Sequence, residues 1–143
     1  MTIKKIVTIF FLSASVIVLL MSKTLDPKCP VARTLDIIGE RWTILILRDL
    51  FLFGPRRFQD LQNSLSGVAP NTISARIKTL MDAGVIERRL YSEHPPRAEY
   101  FLTARGLDLK PALLALRDWG EKYTDGPKAP RVEDVKTEPV CVD

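Results

Sequence analysis

The chain has 143 residues, 46% of them apolar and 27% charged, with a net charge of +4. That balance supports one domain of ordinary size plus tails and excludes a wholly disordered chain. Two cysteines, Cys29 and Cys141, and a single histidine, His94, exclude a disulfide scaffold and a Cys/His zinc cluster. The charge is unevenly spread. Residues 54–97 carry seven Lys/Arg against four Asp/Glu, whereas residues 124–143 carry three against five. A basic middle suits a polyanionic partner, although an excess of this size also fits an ordinary solvated surface.

Residues 6–21 form an apolar run broken only by Thr8, Ser13 and Ser15 and preceded by Lys4 and Lys5. The run is long for a signal-peptide core and short for a bilayer span. Three readings stay open: an uncleaved membrane anchor, a removed signal, and an upstream extension of a chain whose start is Met21. Lys23, Lys28 and Arg33 follow the run, so charge flanks both sides and does not set an orientation. The organisation expected is a leader over 1–23, a folded domain over 24–123 and a disordered tail over 124–143.

Pro30 suits the first turn of a helix, where a missing N–H costs nothing. Val31, Leu35 and Ile38 fall on one stripe of it, and Gly39 ends it. From Arg41 to Phe53 a second helix is apolar around most of its circumference, which predicts a buried, central element. Arg41, Arg48 and Asp49 mark its expected wet side. Gly54-Pro55 breaks it. Arg56-Arg57-Phe58 reads as extended, Gln59 to Leu65 as a brief helix facing inward through Phe58, Leu61 and Leu65, and Ser66-Gly67 as a turn. Pro70 opens the next helix and Ala83-Gly84 closes it. Val85 to Tyr91 and Ala98 to Leu102 read as two strands. Between them Ser92-Glu93-His94-Pro95-Pro96-Arg97 reads as a loop, because two prolines remove ladder donors. Thr103 caps a long last helix whose apolar face is Leu107, Leu113, Leu114, Leu116 and Trp119, with Pro111 bending it or lying near its start.

Helix, turn, second helix and hairpin outline a winged helix-turn-helix: mainly α, with a small β-hairpin. Advancing about 100° per residue from Ile73 puts Ile77, Leu80 and Met81 on its own, inward side. Asn71, Ala75, Lys78 and Thr79 then face away, where residues entering a major groove must lie. Asn pairs with adenine through two bonds, Ala and Thr methyls pack on a thymine methyl, and Lys reaches guanine or phosphate. Thr72 offers its hydroxyl at one flank. Arg76 lies at the border and either binds phosphate or pairs with a neighbouring acid. Arg97 at the wing suits a minor groove or a phosphate, and His94 either adds a contact or is an idle loop residue. Arg56, Arg57, Arg88 and Arg89 are candidates for backbone contacts, but Arg88 and Arg89 point to opposite faces of their strand. An amphipathic helix with a merely solvated outer face is the competing interpretation. No cofactor is expected, and nothing in the chain assembles a catalytic set: there is no glycine-rich phosphate loop and no second histidine.

Several stretches together make the chain similar to the HxlR family of bacterial transcription regulators. They are Cys29-Pro30-Val31, Leu35-Asp36-Ile37-Ile38-Gly39-Glu40-Arg41-Trp42, Arg57-Phe58-x-Asp60-Leu61, the run from Gly67 to Leu80, Ala83-Gly84-Val85-Ile86, and Tyr100-x-Leu102-Thr103-x-x-Gly106. The closing pattern from Leu109 through Pro111 and Leu113 to Trp119-Gly120 also fits. The resemblance spans Cys29 to Gly120. It implies a homodimer joined through the first and last helices, with two recognition helices in successive major grooves of an inverted repeat. Ala69 stands where the family often has a Ser cap. The apolar leader is not a family feature. Some relatives sense oxidants through a cysteine near the amino terminus, and Cys29 holds the matching place; its alternative is a structural thiol. Cys141 in the tail would be available to resolve an oxidised Cys29.

The function expected is therefore a sequence-specific transcriptional regulator, a repressor, acting as a dimer on double-stranded DNA and answering to an effector the sequence does not identify. It would be cytoplasmic. Retention of residues 6–21 would add a membrane partner and leave the DNA-binding domain in the cytoplasm. The alternative is a membrane-tethered winged-helix module that binds proteins.

Overall fold

The computed structural model describes residues 26–93 and 95–127. The chain divides into two units between Asp36 and Ile37. In the first, the Asp26 carboxylate accepts from the Lys28 backbone N–H at 3.1 Å, and Arg33 reaches back to the Pro27 carbonyl at 2.9 Å. These bonds set the entry to helix α1, Pro30–Ile38, which starts at its proline as expected. Val31 and Leu35 stay exposed.

The second unit is built around helix α2, Arg41–Phe53. Ile46 and Leu47 are fully buried and Leu50 nearly so. Each such side chain contributes about 1.5–3 kcal/mol through burial. Gly54 ends α2 with φ +71°, a conformation that favours glycine. Strand β1, Arg56–Arg57, leads into helix α3, Phe58–Ser64, where the Arg57 backbone N–H donates to Asp60 at 3.0 Å. Helix α4, Pro70–Asp82, follows the turn at Gly67 and packs its Ile73, Ile77 and Leu80 into the same core. Strands β2, Ile86–Glu93, and β3, Pro96–Leu102, complete an antiparallel sheet in the order β1-β3-β2. Helices α5, Ala104–Leu107, and α6, Lys110–Tyr123, close the described chain.

The structure corrects four expectations. Asp49 is fully buried rather than on the wet side of α2. Core elements enclose α2 beyond its apolar stripe, and Arg48 folds over the carboxylate, donating through Nε at 3.0 Å and Nη2 at 2.7 Å. The hairpin strands run farther toward the tip than Tyr91 and Ala98: Ser92 lies opposite Arg97, and Glu93 opposite Pro96. A proline as the first residue of a strand is tolerated, and a bulge between Leu90 and Ser92 absorbs the change of register. The last helix is two helices, because Pro111 cannot donate backward and restrains the residue before it; it sits in the first turn of α6. Finally, Leu107, Leu116 and Trp119 are exposed, whereas Leu113 and Leu114 are half-buried. The leader and the tail from residue 128 lie outside the described residues.

One junction ties the wing to α4. The Thr103 hydroxyl donates to the Gly84 carbonyl at 2.7 Å and accepts from the Gly106 N–H at 3.1 Å, while the Thr103 N–H donates to the Val85 carbonyl at 3.1 Å. Arg105 Nη1 adds a bond to the Ala83 carbonyl at 2.7 Å. Gly106 is buried so close to Val85 that a Cβ there would collide with the Val85 carbonyl oxygen and press on Leu102. Gly106→Ala is therefore expected to lower the unfolding free energy by about 1–3 kcal/mol, read from urea denaturation. An unchanged midpoint would show that the junction yields without cost.

Candidate nucleic-acid interface

Helix α4 presents two unlike sides. Ile73, Ile77 and Leu80 are buried, whereas Asn71, Ser74, Ala75 and Lys78 are exposed. Among the described residues nothing covers Asn71 or Ala75. Met81, expected in the buried stripe, is 38% exposed, since α4 ends one residue later and the core narrows there. The helix starts at Pro70 after Ala69, whose backbone is extended and whose side chain gives no cap. The Ala69 carbonyl accepts from the Thr72 N–H at 2.9 Å and the Ile73 N–H at 3.2 Å. The first turn thus keeps the positive end of its helix dipole toward solvent.

The polar groups of α4 are already partly engaged. Lys78 Nζ lies 2.7 Å from Asp82 Oδ2, one helical turn on, with both side chains largely exposed. The Thr79 hydroxyl donates to the Ala75 carbonyl at 3.1 Å, so Thr79 is half-buried with its hydrogen directed at its own helix. That corrects its placement on the outward face. Thr72 is also half-buried. Arg76 lies between core and surface, its Nη2 3.8 Å from Glu40 Oε2 at the start of α2, and its buried Nε has no hydrogen-bond acceptor. Of the two roles left open for Arg76, the ion pair is the one formed in the structure.

The sheet carries a second basic cluster. Arg57 on β1 and Arg89 on β2 both lie opposite Glu99 on β3, so the three share one face of the sheet. Arg57 Nε is 3.8 Å from Glu99 Oε1, and its guanidinium stacks 4.9 Å from the Tyr91 ring centre. Arg89 stacks 4.6 Å from the Phe101 ring centre. Arg56 and Arg88 lie opposite Tyr100 on the other face, and Arg56 stacks on Phe53 at 4.5 Å. Arg97 is exposed near the hairpin tip, opposite Ser92, whose hydroxyl donates to the Pro95 carbonyl at 3.0 Å. His94 lies outside the described residues. Cys29 is a half-buried free thiol in the other unit.

The structure therefore gathers Asn71, Ala75 and Lys78 on one exposed helix side and sets Arg57 in a separate cluster on the sheet. Two features escaped the sequence reading. Ser74 joins the exposed side of α4, which a finer count of its helical angle would have found. The aromatic partners of Arg57 and Arg89 depend on strand register, which no local pattern specifies. Among the described residues no helix is long and apolar enough to cross a membrane.

The model of the HxlR-like helix-turn-helix family matches residues 37–128. An uncharacterized HTH-type transcriptional regulator of Mycobacterium tuberculosis (strain H37Rv) is 44% identical over 103 residues, covering 72% of this chain and 64% of the relative. The chain thus spans slightly less than two thirds of that relative's length. An uncharacterized HTH-type transcriptional regulator of Synechocystis is 39% identical over 97 residues, covering 68% of this chain and 71% of the relative. Among solved structures, the redox regulator HypR in its oxidized form is similar with a TM-score of 0.63 and 31% identity, over 68% of this chain and all of that one. These similarities coincide with the winged helix-turn-helix geometry built above, and the chain belongs to the HxlR-like helix-turn-helix family.

Proposed function

We propose that this protein is a transcriptional regulator that binds double-stranded DNA sequence-specifically, as a dimer on an inverted repeat, and represses by occluding polymerase. The observation that carries the reading is the two-sided α4. Its apolar side is locked in the core while Asn71, Ala75 and Lys78 stay uncovered. In this reading α4 enters the major groove, Asn71 pairs with a base edge, and Ser74 and Ala75 let the helix approach closely. Lys78 and Arg76 exchange their present acids for phosphate. Thr72 contributes a methyl contact at one flank. Arg97 and His94 approach the backbone or minor groove from the wing, and Arg57 supports the phosphate contacts.

Dimer formation is supported by apolar surface left open on the terminal helices. Val31 and Leu35 of α1 are exposed, as are Leu116, Trp119 and Tyr123 of α6. Apolar residues in such number on one small chain favour association. Selection of bound duplexes from a random pool is expected to return two inverted half-sites about one helical turn apart. Asn71→Ala is expected to weaken the selected duplex by about 10- to 100-fold while sparing unrelated DNA, which flattens preference at one base pair. A pool without enrichment overturns the reading, and unchanged preference in the variant overturns the role of Asn71.

The pair between Lys78 and Asp82 supplies a second test. Asp82→Asn frees a cation on the groove-facing side, so DNA affinity at low salt is expected to rise about threefold and the salt dependence to steepen by about one counterion. Affinity that falls instead, with folding intact, would place Lys78 away from phosphate.

A redox response is favoured by one comparison, the similarity to the redox regulator HypR. Cys29 is free, half-buried and adjacent to the exposed Lys28, just ahead of α1. Oxidants reach a free thiol that keeps part of its surface open to solvent, as Cys29 does. Peroxide and diamide are expected to change operator affinity of the native chain and to leave Cys29→Ser unaffected. Equal responses in the two proteins would exclude Cys29 as the sensor.

A further inference from the structure

Helices α2 and α6 diverge around an apolar groove of about 280 Å³. Its walls include Leu45 and Phe51 from α2 and Leu113 and Leu114 from α6. No acidic residue lines it, whereas Arg48, Lys110 and Arg117 do. Arg48 pairs with the buried Asp49, and Arg117 with Asp118 at 2.7 Å. Lys110 is exposed and has no ion-pair partner among the described residues.

We propose that this groove binds a small carboxylic acid with an apolar body of roughly ten carbons, the body between α2 and α6 and the carboxylate at Lys110. Size and charge both select that chemistry. An apolar cavity of about 150 Å³ already holds a benzene ring, so a volume near 280 Å³ accepts one ring and a short chain. The walls reward an apolar body, and a cation without a partner at the rim rewards an anionic head over a neutral one.

The groove meets the apolar stripe assigned above to dimer formation at Leu116, which lines both. The other α6 residues of the groove, Lys110, Leu113, Leu114 and Arg117, centre on one direction around the helix, and Trp119 and Tyr123 on another, about 150° away at 100° per residue. Binding here does not depend on the DNA-binding reading, because it is measured without DNA.

The full-length protein would be titrated calorimetrically with 4-phenylbutyrate and, separately, with 4-phenylbutanamide. The acid is expected to bind once per chain, about tenfold more tightly than the amide. Lys110→Gln, at an exposed site, is expected to fold normally and to abolish the difference between the two compounds. Leu114→Trp, which fills the groove, is expected to remove binding of both. Four outcomes overturn the proposal: no binding of the acid, equal binding of acid and amide, an acid preference that survives Lys110→Gln, or binding that survives Leu114→Trp. A fifth would do so as well. Methyl resonances of Leu113 and Leu114 that respond to protein concentration but not to the acid would assign the groove to a second copy of the chain.

Discussion

The hydrogen bonds of Thr103 hold the working parts of this fold in register. One hydroxyl donates to Gly84, just past the end of α4, and accepts from Gly106, just inside α5. The backbone N–H of the same residue takes the Val85 carbonyl. The chain thus leaves α4, runs out and back through the hairpin, and is fastened to its own departure point. That closure fixes the base of the wing relative to the axis of α4. A helix and a wing that approach one duplex need such a fixed relation, since a small tilt at the base becomes a large displacement at the tip. Gly106 shows how tight the closure is: there is no room for a single methyl group beside the Val85 carbonyl.

The parts of the fold governed by short-range chemistry were legible in the sequence. Pro30, Gly54, Pro70 and Gly84 mark the start of α1, the end of α2 and the two ends of α4, because a missing donor or a positive φ acts within a residue or two. The buried stripe Ile73, Ile77 and Leu80 followed from helical period alone. What failed depended on distant partners. Asp49 is interior because elements far along the chain surround α2 and Arg48 covers its charge. The hairpin passes its prolines because Pro96 begins a strand. Thr79 turns its hydroxyl to the Ala75 carbonyl, a choice that period cannot reveal. For the candidate site, Asn71, Ala75 and Lys78 were readable as an exposed set. The pairing of Arg57 with Glu99 and Tyr91 was not, because strand β1 had no sequence signature of its partner.

The basic excess of the middle segment is smaller in effect than its count suggests. Lys78 faces Asp82, Arg76 faces Glu40, and Arg57 faces Glu99. Each pair is exposed enough that water and salt already weaken it, so each is worth little to folding. The same exposure makes the pairs easy to exchange. A phosphate offers a charge-assisted bond to the cation and leaves the released carboxylate in water, where its solvation is restored. In the proposed reading the acids act as placeholders that keep three flexible cations ordered at low cost. On that reading they would also lower the affinity for a polyanion that lacks the correct spacing, since every exchange must be made at once for the full gain.

The distribution of apolar surface argues in the same direction. Trp119, Leu116 and Tyr123 are open along one stripe of α6, with the Trp119 and Tyr123 rings in contact at 5.4 Å. Helix propensity does not require aromatic residues there. Their exposure is intelligible when a second surface covers them, and a two-fold partner offers an identical stripe that satisfies both copies together. The groove on the flank of α6 differs in kind. Its walls are recessed, its rim is cationic, and its volume is that of a small molecule rather than a helix. Shape and charge thus favour a small partner for the groove and a larger one for the aromatic end of α6, with Leu116 at the border between them.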